Sequence, residues 1–371
     1  QEFVWTDNMH RRWVFEVGSL LKAGTNRIEI RFADALDHCR RELERRKVWF
    51  AYEPTPEIAW PGFNMIRKSH CSFGWDWRPI VPDVGIWRPI RLAARGPARV
   101  AELRVLQLHS PSPTGTAVRL DIQAYLEWLS EGAYHRAPAR GGIGNAFRQV
   151  LDAALGTGIK AGGTLHLPDG SSREFAVAED GSAQIEIPDA RLWWPAGLGE
   201  QPLYSVEISL ESRQGTIHSR RLDIGLRTIT VRREPDQWGE SFEFVVNGLP
   251  VFARGADYIP EDVALTRGGR ERTERLILDS VRANFNCLRV WGGGVYPGED
   301  FWQLCDRHGL IVWMDLMYAC ALYDISHPPL RETMLAEVRD NLLRLRHHAS
   351  LGLVCGTNEM EQAFVDWNLP Q

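Results

Sequence analysis

Lysine is scarce in this sequence of 371 residues. Only Lys22, Lys47, Lys68 and Lys160 occur, against 39 arginines, and acidic residues leave a net charge of −5. A basic stripe for nucleic acid is therefore not expected. Long apolar runs are also lacking. The densest, such as Leu310–Met314, fall far short of the ~18 residues that span a bilayer. No basic-then-apolar secretion pattern opens the chain, which begins on Gln1 rather than Met, so the natural start is expected upstream. The six cysteines form no CxxC pair. They read as buried free thiols of a reducing, cytoplasmic compartment. HExxH is absent, and Gly292–Gly294 lacks GxGxxG spacing, so neither a metal nor a dinucleotide cofactor is expected. His347-His348 reads as a charged helix end rather than a metal pair.

What is present in excess is tryptophan, fifteen residues in 371. An aromatic core and stacking on sugar rings explain this equally well. Composition does not choose between them.

Periodicity divides the chain into three parts. In residues 1–95, Ile28, Ile30 and Phe32 alternate with Arg27, Glu29 and Arg31, the period of a half-buried strand. Asp34–Lys47 is charged and free of Gly and Pro. It predicts a solvated helix with Arg40–Glu44 and Glu42–Arg46 pairs. Pro54, Pro56, Pro61 and Gly62 then break regularity, an aromatic loop runs from Phe73 to Trp77, and a strand is predicted near Ile86–Leu92. In residues 96–233, Val118, Leu120 and Ile122, and later Val206, Ile208 and Leu210, alternate as strands of a small β-sandwich. Leu129–Thr164 reads as an insertion with a short helix near Phe147–Leu155. From 234 the pattern becomes β/α. An Asn247-Gly248 hairpin turn leads into a strand, then helix 267–284, strand 287–291, helix 299–308, strand 310–316, helix 331–347 and strand 351–355. Four such units predict parallel strands and half of a (β/α)8 barrel.

In such a barrel, chemistry gathers at the carboxyl ends of the strands. Asp257, Trp291, Asp315, Asn358 and Glu359 occupy those ends and should converge. An Asn-Glu pair is ordinarily a solvated surface pair, but its place after a buried apolar strand favours catalysis. Trp75, Trp77 and Trp291 compete with plain core packing, Asp76 with a loop cap, and Asp315 reads first as a structural acceptor. The cysteines read as packing.

The motifs Gly74-Trp75-Asp76-Trp77-Arg78-Pro79, Gly85-Ile86-Trp87-Arg88-Pro89, Leu192-Trp193-Trp194-Pro195 with Gln201-Pro202-Leu203-Tyr204, Arg289–Gly294, Trp313-Met314-Asp315 and Asn358-Glu359 together resemble the β-mannosidases of glycoside hydrolase family 2. The resemblance covers nearly the whole chain, and the Trp-Asp-Trp loop is its most specific element. It implies the carboxyl-terminal part of a galactose-binding-type sandwich over 1–95, an immunoglobulin-like sandwich over 96–233 and the first half of a TIM barrel over 234–371. It implies a retaining exo-glycosidase for terminal β-mannose. Glu359 matches the acid/base, Asn358 a contact near the sugar 2-hydroxyl, Trp75 and Asp76 loop residues reaching over the barrel, and Trp291 a pocket wall. It implies no cofactor, metal, nucleic-acid or membrane partner, leaves the oligomeric state open, and puts the nucleophile ~90 residues beyond Glu359, at ~30 residues per βα unit. Another family 2 exo-activity, such as exo-β-glucosaminidase, and a non-catalytic carbohydrate-binding remnant are the alternatives. Sequence beyond Gln371 would separate them. The chain departs from the family at Asp257-Tyr258, Thr357, Val354 and Arg78, which bears on sugar preference more than on reaction type.

Overall fold

The computed structural model describes residues 4–47, 59–96, 98–130, 133–136 and 160–366. The helix expected near Phe147–Leu155 lies outside them.

The amino-terminal part is built on one helix. In α1 (Ala35–Arg46), the Asp34 side chain accepts from the Leu36 and Asp37 amides, and Lys47 closes the helix at φ 54°. Arg40 pairs with Glu44 at 3.2 Å and Arg46 with Glu42 at 2.7 Å, as their spacing predicts. The helix is less solvated than expected: Cys39 is fully buried. Gly62, at φ 85°, lets the following segment cross against it, because a Cβ there would stand 2.5 Å from the Cys39 carbonyl. The aromatic loop is in fact a tight hairpin, β1 (Phe73–Trp75) and β2 (Arg78–Ile80), with Asp76 and Trp77 as its turn.

Two strands expected here do not form. Residues 25–34 and 86–92 are irregular, and Ile28, Ile30 and Phe32 are 74%, 45% and 52% exposed. A strand needs a neighbour for its amides and carbonyls. Neither segment pairs with another strand among the described residues.

The middle part follows its pattern. β3 (Ala98–Ser112) and β4 (Gly115–Ser130) form a long hairpin, joined on β4 by β5 (Ala133–Arg136) and later by β8 (Ser182–Ile187). A second antiparallel sheet contains β6 (Lys160–His166), β7 (Ser172–Ala176), β9 (Leu203–Ser212) and β10 (Gly215–Gly225), in the order β10-β9-β6-β7. The inner faces share one core. Val118, Leu120 and Ile122 of β4 are buried with Val206, Ile208 and Leu210 of β9. Each such side chain contributes roughly 1.5–3 kcal/mol of burial.

A three-stranded meander, β11 (Ile229–Arg232), β12 (Glu243–Val246) and β13 (Leu249–Val251), leads onward. Its turn places Asn247 at φ 50° and Gly248 at φ 83°, the conformation an Asn-Gly hairpin favours. The last part is a parallel sheet in sequence order: β14 (Gly255–Tyr258), β15 (Cys287–Val290), β16 (Ile311–Asp315) and β17 (Leu351–Cys355). Its helices are α2 (Arg270–Arg282), α3 (Glu299–His308), α4 (Pro328–Leu345) and α5 (Met360–Asp366). The central strands β15 and β16 are largely buried, whereas β14 exposes Gly255, Ala256 and Asp257. β17, expected to be a buried strand, has no buried residue and exposes Val354, so the apolar reading holds at the sheet's middle and fails at both described edges. Among the described residues no helix is long and apolar enough to cross a membrane.

One ion pair ties the first part to the last. Arg67 donates to Glu337 of α4 through Nε at 2.9 Å and Nη2 at 2.7 Å, and both side chains are fully buried. Asn8 Nδ2 (2.8 Å) and Tyr296 OH (3.2 Å) also donate to Glu337. Burial pushes the Glu337 carboxyl up, but Arg67, His10 and Asn8 together outweigh it and hold the group below its usual range. Burial lowers the neighbouring His10 to about 4. Both groups titrate lower folded than unfolded, so both contribute stability at neutral pH that is lost on acidification. His10 acts first, as pH falls below ~6.5, and Glu337 follows below ~4.3. We predict a melting temperature that falls across this window. Glu337→Gln should cost about 3–5 kcal/mol near pH 7, because it strands a buried guanidinium. A flat melting temperature from pH 7 to 4 would contradict this account.

Candidate active site

The parallel strands end together, and a charged residue within a buried strand organises their ends. Arg289 of β15 lies in register beside Asp257 of β14. Its Nη2 donates to Asp315 Oδ2 at 2.7 Å and to Asn358 Oδ1 at 2.6 Å, and its Nη1 reaches Asp257 Oδ1 at 3.3 Å. Asp315 is buried and also accepts from the Gly292 amide and Trp313 Nε1, each at 3.1 Å. Burial raises its carboxyl above the ordinary range, with Arg289 pulling the other way. Asp315 is thus a structural acceptor, as its sequence position suggests.

Because Arg289 can only donate, it requires the oxygen of the Asn358 amide on its own side. The Asn358 amide nitrogen then faces the other way. It donates to Glu359 Oε2 at 3.1 Å and to Cys320 Sγ at 3.3 Å. Cys320 Sγ in turn donates to Glu359 Oε2 at 3.4 Å. Glu359 has an exposed side chain. Glu359 (φ 54°) and Cys320 (φ 48°) both adopt the left-handed conformation that side chains resist. The 318–320 segment enforces it: the Asn358 amide donates to the Tyr318 carbonyl at 2.7 Å, and the Cys320 amide to the Asn358 carbonyl at 3.0 Å.

An aromatic corner packs on Cys320, the residue that bonds this carboxylate. The Trp291 ring meets Trp75 edge-on at 4.8 Å and Trp77 at 5.6 Å between centroids. Trp291 is buried with Cys71, Ala319 and Cys320, and Trp75 packs on the same cluster. Gly293 has no room for a Cβ, which would stand 2.0 Å from the Trp291 ring. The Cys71 amide donates to the Gly293 carbonyl at 2.9 Å, fixing the hairpin segment to the loop after β15.

Of the residues singled out from sequence, Asn358, Glu359, Asp315 and Asp257 converge through Arg289, and Trp75 meets Trp291. Asp76 does not join them. It sits exposed in the hairpin turn and forms no hydrogen bond or ion pair with a described residue. Of the two loop tryptophans only Trp75 packs on the core, whereas Trp77 is 42% exposed and meets Trp291 only edge-on. Two residues escaped the sequence reading. Arg289 carried a signal, since a charge between Leu288 and Val290 in a buried strand demands partners. Cys320, read as packing, also bonds Glu359 and Asn358, and nothing in its sequence marks that. The His347-His348 reading needs correction as well: α4 ends at Leu345, and His348 is buried beyond it against Asp306.

Residues 1–88 match the family described as "Glycosyl hydrolase 2 galactose-binding domain-like", and residues 152–227 match "Glycosyl hydrolases family 2". The class is therefore that of chains carrying family 2 glycoside hydrolase domains. Within it the chain is β-mannosidase-like. It is 31% identical to "Beta-mannosidase B" of Emericella nidulans and 31% identical to "Beta-mannosidase" of Bos taurus, in each case over 97% of this chain. It spans 39% of the length of each of these relatives. A solved β-D-mannosidase from Dictyoglomus thermophilum superposes with a TM-score of 0.63 at 27% identity, covering 86% of this chain and 36% of its own. A Parabacteroides merdae β-glucuronidase, 13% identical with a TM-score of 0.53 over 71% of this chain and 29% of its own, shares the fold alone.

Arg289→Met should destabilise the protein by about 2–4 kcal/mol near pH 7, because Asp315 stays buried without its cation. The loss should shrink as pH falls and Asp315 takes up a proton. Denaturant unfolding at pH 7 and pH 5 measures both. An equal loss at the two pH values would mean that Arg289 acts by packing alone.

Proposed function

We propose that this sequence forms the sugar-recognition and acid/base portion of a retaining exo-β-mannosidase. In this reading residues 1–95 belong to a galactose-binding-type sandwich, 96–233 form an immunoglobulin-like sandwich, and 234–371 contribute the first four units of a (β/α)8 barrel. The observation that carries the proposal is Glu359 itself. It follows the fourth parallel strand, is oriented by Asn358 and Cys320, and is linked through Cys320 to the Trp75–Trp291 corner.

Glycoside cleavage with retention needs one carboxyl that protonates the departing oxygen and then, as a base, activates water. Glu359 takes that role. Its left-handed backbone and two side-chain donors hold the carboxyl in place while leaving it open to solvent on its other side. Asn358, clamped by Arg289, lies beside the bond being broken, and its amide nitrogen would exchange its Cys320 contact for the sugar 2-hydroxyl. Trp75, backed by the buried Trp291, offers an apolar ring to a pyranose face, and Asp76 supplies a carboxylate for sugar hydroxyls. Asp257 and Asp315 are engaged by Arg289, so neither is assigned as nucleophile. That second carboxylate is assigned to none of residues 1–371. The substrate class is terminal β-mannosides and manno-oligosaccharides.

The tests use a protein carrying this sequence at the length of its relatives. Glu359→Ala should slow hydrolysis strongly for substrates with poor leaving groups and far less for activated ones, which need little protonation. Azide should restore turnover as glycosyl azide. Near-native activity on unactivated mannosides would remove Glu359 from the mechanism.

Asp76 gives a separate prediction. Its carboxylate has no partner among the described residues, so Asp76→Ala should leave the melting temperature unchanged. It should lower kcat/KM by ~30-fold or more, as expected for ~2–4 kcal/mol of charge-assisted contact to the transition state. A lowered melting temperature with normal activity would make Asp76 a brace of its own turn.

A further inference from the structure

At the opposite end of the parallel sheet, away from Glu359, three side chains from two separate segments meet. Glu299 opens α3, while His347 and His348 lie between α4 and β17. One donor atom from each, a carboxylate oxygen and two ring nitrogens, lie within 4.8 Å of one another. We propose that Glu299, His347 and His348 bind a divalent ion of the zinc class.

Three observations carry this beyond proximity. First, His348 is buried, and its Nε2 forms no hydrogen bond. That nitrogen lies 3.3 Å from Glu299 Oε1, as an ion-pair contact without hydrogen-bond geometry. The buried nitrogen thus faces the Glu299 carboxylate, and an ion between the two would bind both as ligands. Second, the opposite nitrogen is fixed as metal-binding imidazoles require. His348 Nδ1 bonds Asp306 Oδ2 at 2.7 Å, which orients the ring and leaves Nε2 as the coordinating atom. Asp306 is itself anchored, since its other oxygen accepts from the Ser350 amide at 2.8 Å, and Trp302 stacks on the His348 ring at 5.4 Å. Third, Glu299 is divided between two neighbours. Oε2 lies 3.8 Å from Arg344 Nη1, and Oε1 is the atom turned to His348. Oε1 is thereby the oxygen turned into the site.

Two imidazoles and one carboxylate match the borderline ligand preference of Zn2+, with water completing the shell. The ion takes the place of any proton on Nε2. His347 is the adjustable ligand: its ring is half-buried and stands 4.2 Å from that of His348. The site lies at the amino-terminal end of β17, the end of a βα sheet associated with stability rather than turnover. It would clamp α3 to the segment entering β17, and its role is structural. The inference is independent of any glycosidase activity.

The probe is Co2+, and separately Zn2+, added to the metal-free chain. The expected results are one ion per chain, a visible Co2+ absorption band of low-symmetry nitrogen and oxygen ligation, and a higher melting temperature with Zn2+. His347→Ala and Glu299→Gln spare the His348–Asp306 bond and so test the site without removing its support. Each should weaken binding by more than the ~10–100-fold typical of losing a supporting group around a ligand, and abolish the Zn2+ gain in melting temperature. Absence of the band and of any melting shift in the wild-type chain would overturn the proposal. So would wild-type affinity in both variants.

Discussion

Arg67 and Glu337 meet where no solvent reaches, and the placement of the amino-terminal part over the strand ends depends on that meeting. Arg67 stands shortly before Phe73, the first residue of the β1–β2 hairpin, and Glu337 lies on α4, the helix between β16 and β17. A buried pair of this kind returns little net stability, because removing two charges from water costs about what their attraction gives back. What it imposes is position. Any other approach of the Arg67 segment would leave one charge buried and alone. Arg67 also donates to the Met317 carbonyl at 2.7 Å and lies over the Tyr318 ring at 4.5 Å. The same contact thus steadies the strand-end segment that runs through Tyr318 to Cys320 and so to Glu359.

Below that brace the site is a relay of donors with fixed direction. Arg289 can only donate, so it sets the Asn358 amide, and the amide sets one side of the Glu359 carboxyl. Cys320 fixes the same carboxylate oxygen from another side. The hairpin brings its tryptophans to Trp291, whose own ring lies over Gly293 where no Cβ would fit. Residues 73–77 and 357–359 are therefore linked through Trp291 and Cys320, although most of the chain separates them in sequence.

Much of this is legible in the sequence. Alternation and helical spacing locate the helix at 299–308 and the strand at 351–355, and place the helix at 270–282 and the strand at 287–290 to within three residues, because parallel strands and their covering helices impose strong patterns. The same alternation misleads at Ile28–Phe32 and Ile86–Leu92, where the pattern is that of a strand but no described strand pairs with it. Local sequence records a preference; pairing is a tertiary property. Site residues at strand ends are legible because strand ends are. Arg289 is easily overlooked, although a charge between apolar neighbours signals a need for partners. Cys320 and the Glu299–His348 contact cannot be read, since each depends on segments that only folding brings together.

The central claim is that Glu359 and the Trp75–Trp291 corner form one pocket for a terminal mannose. Its most direct test is the structure of a protein carrying this sequence, at the length of its relatives, with a mannose-configured transition-state analogue bound. The account predicts the analogue's ring against Trp75 and Trp291, with the atom that mimics the glycosidic oxygen ~2.6–3.2 Å from the Glu359 carboxyl. An analogue seated away from Glu359, or reaching it without touching either tryptophan, would contradict it.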